Sequence, residues 1–113
     1  MLRTEQATPD FSQTRLGLGS IYLQRGESQK AIQEMKKGVE LSGDDPGAVS
    51  SLAYAYARTG DIAQARSLLE RLKESWRRKH VAAWDIAIVY AGLGDHEQAL
   101  TWLERAAAEH SQQ

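Results

Sequence analysis

Several features that would point to particular functions are absent from this sequence of 113 residues. It contains no cysteine, which excludes disulfide bonds and thiolate metal ligands. The formal net charge is only −1, so charge gives no general attraction to nucleic acid or to anionic lipid. No apolar run approaches the roughly 20 residues that cross a membrane, and the N-terminus lacks the apolar segment of a secretory signal. These absences lead us to expect a cytoplasmic protein with no membrane segment.

Aromatic side chains are also few. There is a single phenylalanine, and charged residues make up 26% of the chain, so a compact globule would have only a thin core. A stacked array of small units does not need a deep core, because each unit buries its face on the next. The sequence does contain a pattern with the period of such an array. A Tyr, a Gly and an Ala recur three times at a spacing of 34 residues: Tyr22, Gly26, Ala31; Tyr56, Gly60, Ala65; Tyr90, Gly94, Ala99.

Each copy of the pattern predicts two helices joined by a tight turn. The glycine follows an apolar periodic run, at the place where a helix ends and a left-handed residue is favoured. Asp61 lies three residues before Gln64, the spacing of a helix N-terminal capping box, and Asp95 precedes Gln98 in the same way. Glu27 and Lys30 take these places in the first copy, so its second helix should begin less cleanly.

With these residues the chain resembles the tetratricopeptide repeat (TPR) family, whose unit has 34 residues. Repeats at 12–45, 46–79 and 80–113 bring the matches into line, with small residues at the eighth place (Gly19, Ala53 and Ala87) and large apolar ones at the seventh (Leu18, Leu52 and Ile86). Residues 1–9 are then a tail or the remnant of a preceding repeat. The match departs from the family where Trp is usual, at Arg15, Val49 and Ala83. The resemblance implies an all-α, right-handed solenoid of three helix–turn–helix hairpins that binds proteins and catalyses nothing.

Apolar periodicity between the turn signals predicts six helices and no strand. Their approximate ranges are 10–24, 28–41, 46–58, 62–76, 80–92 and 96–110. At the start of the third helix, Asp45 is predicted to be the cap and Pro46 to occupy the first helical position.

No constellation of catalytic or metal-ligating residues is evident. His80, His96 and His110 are dispersed without a second ligand at metal spacing. Ser50 and Ser51 have no His or acid partner in the pattern, and the repeated glycines do not form a phosphate-binding loop. We therefore expect a protein that is not an enzyme and has no cofactor.

Residues 71–80 form the one basic cluster and include Trp76. Basic residues with a stacking aromatic are typical of nucleic-acid binding. Cations also favour the C-terminal end of a helix, and Trp76 would then cover the joint between two hairpins. We favour the helix-end interpretation, so nucleic acid is not the expected partner.

In the family that the chain resembles, the first helix of each hairpin lines a concave groove. A helical wheel places one stripe of these helices away from the partner helix. The predicted peptide-binding residues are Gln13, Leu16, Ser20, Leu23, Ser50, Tyr54, Arg58, Val81, Trp84 and Ile88. Trp84 has two interpretations: a binding hot spot in the groove, or a side chain packed on the joint between the second and third hairpins.

Some members of this family clamp the terminal carboxylate of chaperone tails with Lys, Asn and Arg. The corresponding places here are Leu16, Ser20, Ser51, Val81 and Asp85, and none carries the required residue. We therefore do not expect this chain to clamp the carboxylate of a chaperone tail.

The leading hypothesis is thus a scaffold that binds a protein or peptide partner in its groove. The alternative is a self-associating or spacer array that acts through its open ends, as a fragment of a larger bacterial signalling or regulatory protein. Residues 83–106 are similar to terminal repeats of bacterial signalling kinases and transcription regulators. A homodimer would then use the last helix, through Leu100, Trp102, Leu103 and Ala107.

Overall fold

The computed structural model describes residues 11–111, and within them the chain forms six helices and no strand. The helices are α1 (Phe11–Gln24), α2 (Ser28–Ser42), α3 (Pro46–Thr59), α4 (Ile62–Arg77), α5 (Ala83–Leu93) and α6 (His96–Ser111). Consecutive helices pack as the hairpins α1–α2, α3–α4 and α5–α6, and α3 lies between the first and third hairpins. The predicted all-α helical repeat solenoid is confirmed. The predicted tail 1–9, residue 10 at the predicted start of the first helix, and residues 112–113 lie outside the described range.

The turn inside each hairpin is made by the repeated glycine. Gly26, Gly60 and Gly94 have φ angles of 81°, 96° and 79°, in the left-handed region that an L side chain rarely adopts. The amide of Gly60 donates to the carbonyl of Ala57, and the next amide donates to the carbonyl of Tyr56, which closes the helix end. The sequence-based prediction of these three helix ends is confirmed.

The predicted caps differ between the hairpins as expected. The carboxylate of Asp61 accepts a hydrogen bond from the Gln64 amide at 3.3 Å, and that of Asp95 accepts one from Gln98 at 3.1 Å. Glu27 makes no such bond at the start of α2. Its carboxylate instead pairs with neighbouring cations, so the first hairpin has the weakest helix start of the three.

Helix α5 begins three residues later than the sequence predicted, at Ala83 instead of residue 80. The preceding helix ends at Arg77 with Arg78 as its C-cap, and Lys79 takes a left-handed conformation with φ 64°. The equivalent turn of the second hairpin has Asp45 and Pro46, which cap α3 at once. No such pair follows Lys79, and the residue before α5, Ala82, has no side chain that could cap it.

A carboxylate from the last helix takes the place of this missing cap. Glu109 Oε1 accepts a hydrogen bond from the amide of Ala83 at 3.1 Å, and its Oε2 accepts one from the indole of Trp76 at 2.7 Å. The ring of Trp76 meets that of Trp102 edge to face, with centroids 4.7 Å apart. The Arg105 guanidinium lies 4.4 Å from the Trp102 centroid. This cluster joins α4, α5 and α6, so Trp76 in the basic segment 71–80 is a packing residue of the joint.

Close helix approach explains one of the two glycines inside α1. A Cβ atom at Gly19 would collide with the side chain of Met35, whereas a Cβ at Gly17 would meet nothing within 4 Å. Gly19 is buried between α1 and α2, and Gly17 is exposed. The conformational freedom of Gly17 therefore destabilises the helix without any gain in packing.

The two glycines give opposite predictions for the same substitution. Gly17→Ala should raise the free energy of unfolding by about 1 kcal/mol, the usual difference between Gly and Ala inside a helix. Gly19→Ala should lower it by about 1–3 kcal/mol, because the methyl group overpacks the contact with Met35. Urea unfolding followed by circular dichroism measures both. A loss of stability in Gly17→Ala would contradict the open space seen at this position.

Candidate peptide-binding groove

A groove about 600 Å³ in volume runs across the first helices of the three hairpins. Five of the ten predicted binding residues line it: Ser20, Leu23, Tyr54, Arg58 and Ile88. They come from α1, α3 and α5, so residues far apart in the sequence meet on one surface. Leu23, Tyr54 and Ile88 are half-buried and give the groove an apolar wall.

Tyr54 has contacts with two helices. Its ring lies against Gly92 of α5, where an added Cβ atom would come within 2.8 Å of the ring. One turn further along α3, the Arg58 guanidinium lies 5.8 Å from the ring centroid and donates to the Tyr54 hydroxyl at 3.2 Å. Arg58 is exposed and takes part in none of the ion pairs seen in residues 11–111. The groove therefore presents a fixed aromatic ring beside an available cation.

A second depression, about 380 Å³ in volume, adjoins the groove near the N-terminal end of α3 and shares Ser20 and Ser51 with it. Two further predicted residues, Gln13 and Leu16, line this part. Its surface is mostly polar and includes Asp45.

The nearby Asp85 is half-buried at the start of α5. Burial raises the pKa of its carboxyl, and the charge of Asp45 raises it further, while a backbone hydrogen bond at Ala82 opposes the shift. Two carboxyl groups therefore lie at the N-terminal ends of α3 and α5, and Arg58 supplies positive charge at the other end of α3.

Two of the predicted groove residues are buried and do not line its surface. Ser50 is 3% exposed, and its hydroxyl donates to the backbone carbonyl of Asp85 at 2.9 Å. It is therefore a polar contact inside the joint between α3 and α5. Val81 belongs to the hydrophobic core. A helical wheel cannot show this burial, because the covering hairpin is remote in the sequence.

Trp84 follows neither of the two interpretations offered by the sequence. Its side chain is 55% exposed, so it is not packed inside the joint, and it does not line the groove. It lies instead beside the last helix, in a depression of about 490 Å³ at the end of the array. The other lining residues of that depression are Ala82, Leu103, Ala106, Ala107, Glu109 and His110.

The residues predicted for self-association divide between the interior and the surface. Trp102 is 4% exposed and packs on Trp76, so it is not available at the end of the array. Leu100, Leu103 and Ala107 are exposed. Leu103 and Ala107 share the end depression with Trp84, and Leu100 does not line it.

Sequence reasoning missed several groove residues. Met35 forms part of the groove although it is almost fully buried, and Ser51 links the two depressions. Gly92 does not line the groove but packs behind one of its residues, and it was also missed, although a glycine inside a short apolar helix is itself a signal of close approach. The contact with Tyr54 is the reason for this glycine.

Neither a metal site nor a membrane span is found in the part of the chain that the structure describes. No group of three or more His, Asp or Glu residues lies close enough there to hold a metal ion. None of its helices is long and apolar enough to cross a bilayer.

Comparison of this sequence with models of known protein families shows to which family the chain belongs. One tetratricopeptide repeat model matches residues 12–45, and a second matches residues 47–108, more than half of the chain. The chain belongs to the tetratricopeptide repeat family. Tetratricopeptide repeats are typically non-catalytic, and the repeats found here are consistent with a protein-interaction scaffold.

Two curated proteins that resemble this TPR chain have names that refer to assemblies. The photosystem I assembly protein Ycf3 of Synechococcus sp. (strain CC9605) is 29% identical over 63 residues, which is 56% of this chain and 36% of that protein. Anaphase-promoting complex subunit 3 of Schizosaccharomyces pombe (strain 972 / ATCC 24843) is 26% identical over 92 residues, 81% of this chain and 14% of that protein. The TPR chain thus spans about a third or less of these relatives. No solved structure matches it significantly.

Proposed function

We propose that this TPR chain is a scaffold that binds a short segment of a partner protein in its groove. The observation that carries the proposal is the Tyr54 ring, which contacts both Gly92 and Arg58 and lines an apolar wall of the groove. A ring held in place before binding loses little conformational entropy when a partner arrives. Tyr and Arg are also enriched among the residues that dominate binding energy.

The charges around the groove indicate the chemistry of the segment. Asp45 and Arg58 lie at opposite ends of α3, about 20 Å apart by helical rise. A segment of about six extended residues spans this distance. It would place a carboxylate at Arg58, apolar side chains on Leu23 and Ile88, and a cation near Asp45. The polar N-terminal end of the groove would then discriminate against a purely apolar segment.

Arg58→Glu tests the proposal directly. Peptides of 12 residues selected on the wild-type protein from a random phage-displayed library should bind the variant at least tenfold more weakly, because the carboxylate of the peptide would face a like charge. Tyr54→Ala should weaken the same peptides about 30-fold, which corresponds to about 2 kcal/mol. Fluorescence anisotropy with the labelled peptides measures both effects.

Trp84→Ala is the matched control. It removes an exposed aromatic ring from α5 outside the groove, so the affinity of the peptides should stay within twofold. Circular dichroism confirms that each variant is folded. Selection of no peptide, or equal binding by wild type, Arg58→Glu and Tyr54→Ala, would refute the groove as the binding site.

A further inference from the structure

The first hairpin exposes apolar residues that the other hairpins bury. Leu18 is 41% exposed and Ile21 is 53% exposed, both on α1. Residues 34 and 68 positions later occupy the same places in the second and third hairpins. All of them are buried, with exposures of 0–7%: Leu52, Ala55, Ile86 and Val89. We call the surface around Leu18 and Ile21 the N-face.

The third hairpin shows the converse. Leu103 is 38% exposed, whereas the residues at its place in the earlier hairpins, Met35 and Leu69, are 2% and 1% exposed. Trp84 is 55% exposed, and Ser50 at the same place in the second hairpin is 3% exposed. We call the surface around Trp84, Leu103 and Ala107 the C-face.

These two faces are the two sides of the joint that already occurs inside the chain. In the second joint, α5 covers α3 and α4, with Ile86 and Val89 in the core and Ser50 and Leu69 covered on the opposite side. At an internal joint, the residues of one hairpin that correspond to the N-face therefore pack on the residues of the preceding hairpin that correspond to the C-face. The chain leaves one of each type uncovered at its two described ends.

We infer that a second copy of this chain docks its N-face on the C-face of the first, so that copies stack head to tail. The contact is heterologous, because an N-face complements a C-face and the internal joints never pair two faces of one type. It therefore differs from a homodimer that uses only the last helix, which the sequence suggested. This interface lies outside the groove and goes beyond the proposed peptide binding.

One feature makes the stacked joint weaker than the internal joints. Arg15 occupies a place that is filled by the buried Val49 and Ala83 in the other hairpins. Its guanidinium pairs with Glu34 at 2.8 Å, and its side chain is 38% exposed. Stacking would remove water from this ion pair, which offsets part of the apolar gain. The contact between two copies should consequently be weak, and the associated form should be populated only at high protein concentration.

Variants of the two faces test the inference by sedimentation equilibrium. Wild type should show a mean mass that rises above the monomer as concentration increases. The N-face variant Leu18→Glu/Ile21→Glu and the C-face variant Trp84→Glu/Leu103→Glu should each remain monomeric alone. An equimolar mixture of the two should form a dimer and nothing larger, because each dimer is left with two blocked faces.

Ile62→Glu is the control for added charge. Ile62 is 41% exposed on α4 although its hairpin has a neighbour on each side, and its counterparts Ser28 and His96 are exposed too, so this place lies outside the joints. The variant should associate like wild type. Dimers formed by the N-face variant alone would favour a symmetric contact and overturn the inference. A wild type that stays monomeric at the highest concentration would overturn it too, and these faces would then serve another partner. Neither result bears on peptide binding in the groove.

Discussion

Trp102→Ala should lower the free energy of unfolding by about 3–5 kcal/mol, the usual cost of removing a fully packed tryptophan. The indole is 4% exposed, meets Trp76 edge to face and is covered by Arg105. Its removal would leave a cavity between the second and third hairpins. A small domain has a total stability of only about 5–15 kcal/mol, so this loss should be evident in urea unfolding followed by circular dichroism.

The other tryptophans make the prediction specific. Trp102→Phe keeps a ring in the cavity and should restore at least half of the loss. Trp84→Ala removes a ring that is 55% exposed and should cost less than about 1 kcal/mol. If Trp102→Ala and Trp84→Ala were equally mild, the cluster around Trp102 would not be what holds the third hairpin.

Glu109→Ala should destabilise the protein by about 2–3 kcal/mol. The partly buried carboxylate accepts two hydrogen bonds, one from the Trp76 indole and one from the Ala83 amide. A hydrogen bond to a charged group contributes about 1.5–3 kcal/mol, and both donors would lose their partner. Because the site is only partly buried, water would replace part of what the two bonds contribute. The Ala83 amide lies at the start of α5, which has no other side-chain cap, so the first turn of this helix should fray.

Hydrogen exchange measured by mass spectrometry can locate this effect. Protection should fall first at the start of α5 and the end of α4, because repeat units unfold largely with their neighbours. Glu109→Gln keeps one acceptor and should fall between wild type and Glu109→Ala. Glu104→Ala, an exposed acid on the same helix, should change stability by less than about 0.5 kcal/mol. Unchanged protection of α5 in Glu109→Ala would exclude the carboxylate as its cap.

Local signals made most of the fold predictable from the sequence. Gly60 and Gly94 end helices because their backbone conformation is unfavourable for other residues, and Asp61 begins one because its carboxylate reaches amides in the next turn. These effects act within four or five residues, so helix boundaries were predicted to within one or two residues at most ends. The exception was α5, whose start depends on Glu109, 26 residues away.

The groove was predictable only in part, because it also depends on contacts between residues that are far apart in the sequence. A helical wheel identified the side of each first helix that could face a ligand, and five residues on this side do line the common groove. It could not distinguish Tyr54, which lines the groove, from Ser50, which the next hairpin covers. Whether a side chain of a first helix is buried depends on the neighbouring hairpin and on the angle at which that hairpin packs.

The sequence by itself determined the repeat, the six helices and the residues that close each turn, because these depend on backbone preferences and on contacts between near neighbours. Only the tertiary structure decided which large apolar side chains became core and which became surface. Leu18 and Leu52 occupy the same place in the repeat, yet the first is 41% exposed and the second is 7% exposed. Trp102 was expected at an open end and Trp84 either in the groove or packed on a joint, but the stacking of the hairpins buries the first and leaves the second exposed. The physical reason is that burial in a repeat array depends on whether a neighbouring hairpin is present, and a side chain's own sequence context does not contain that information.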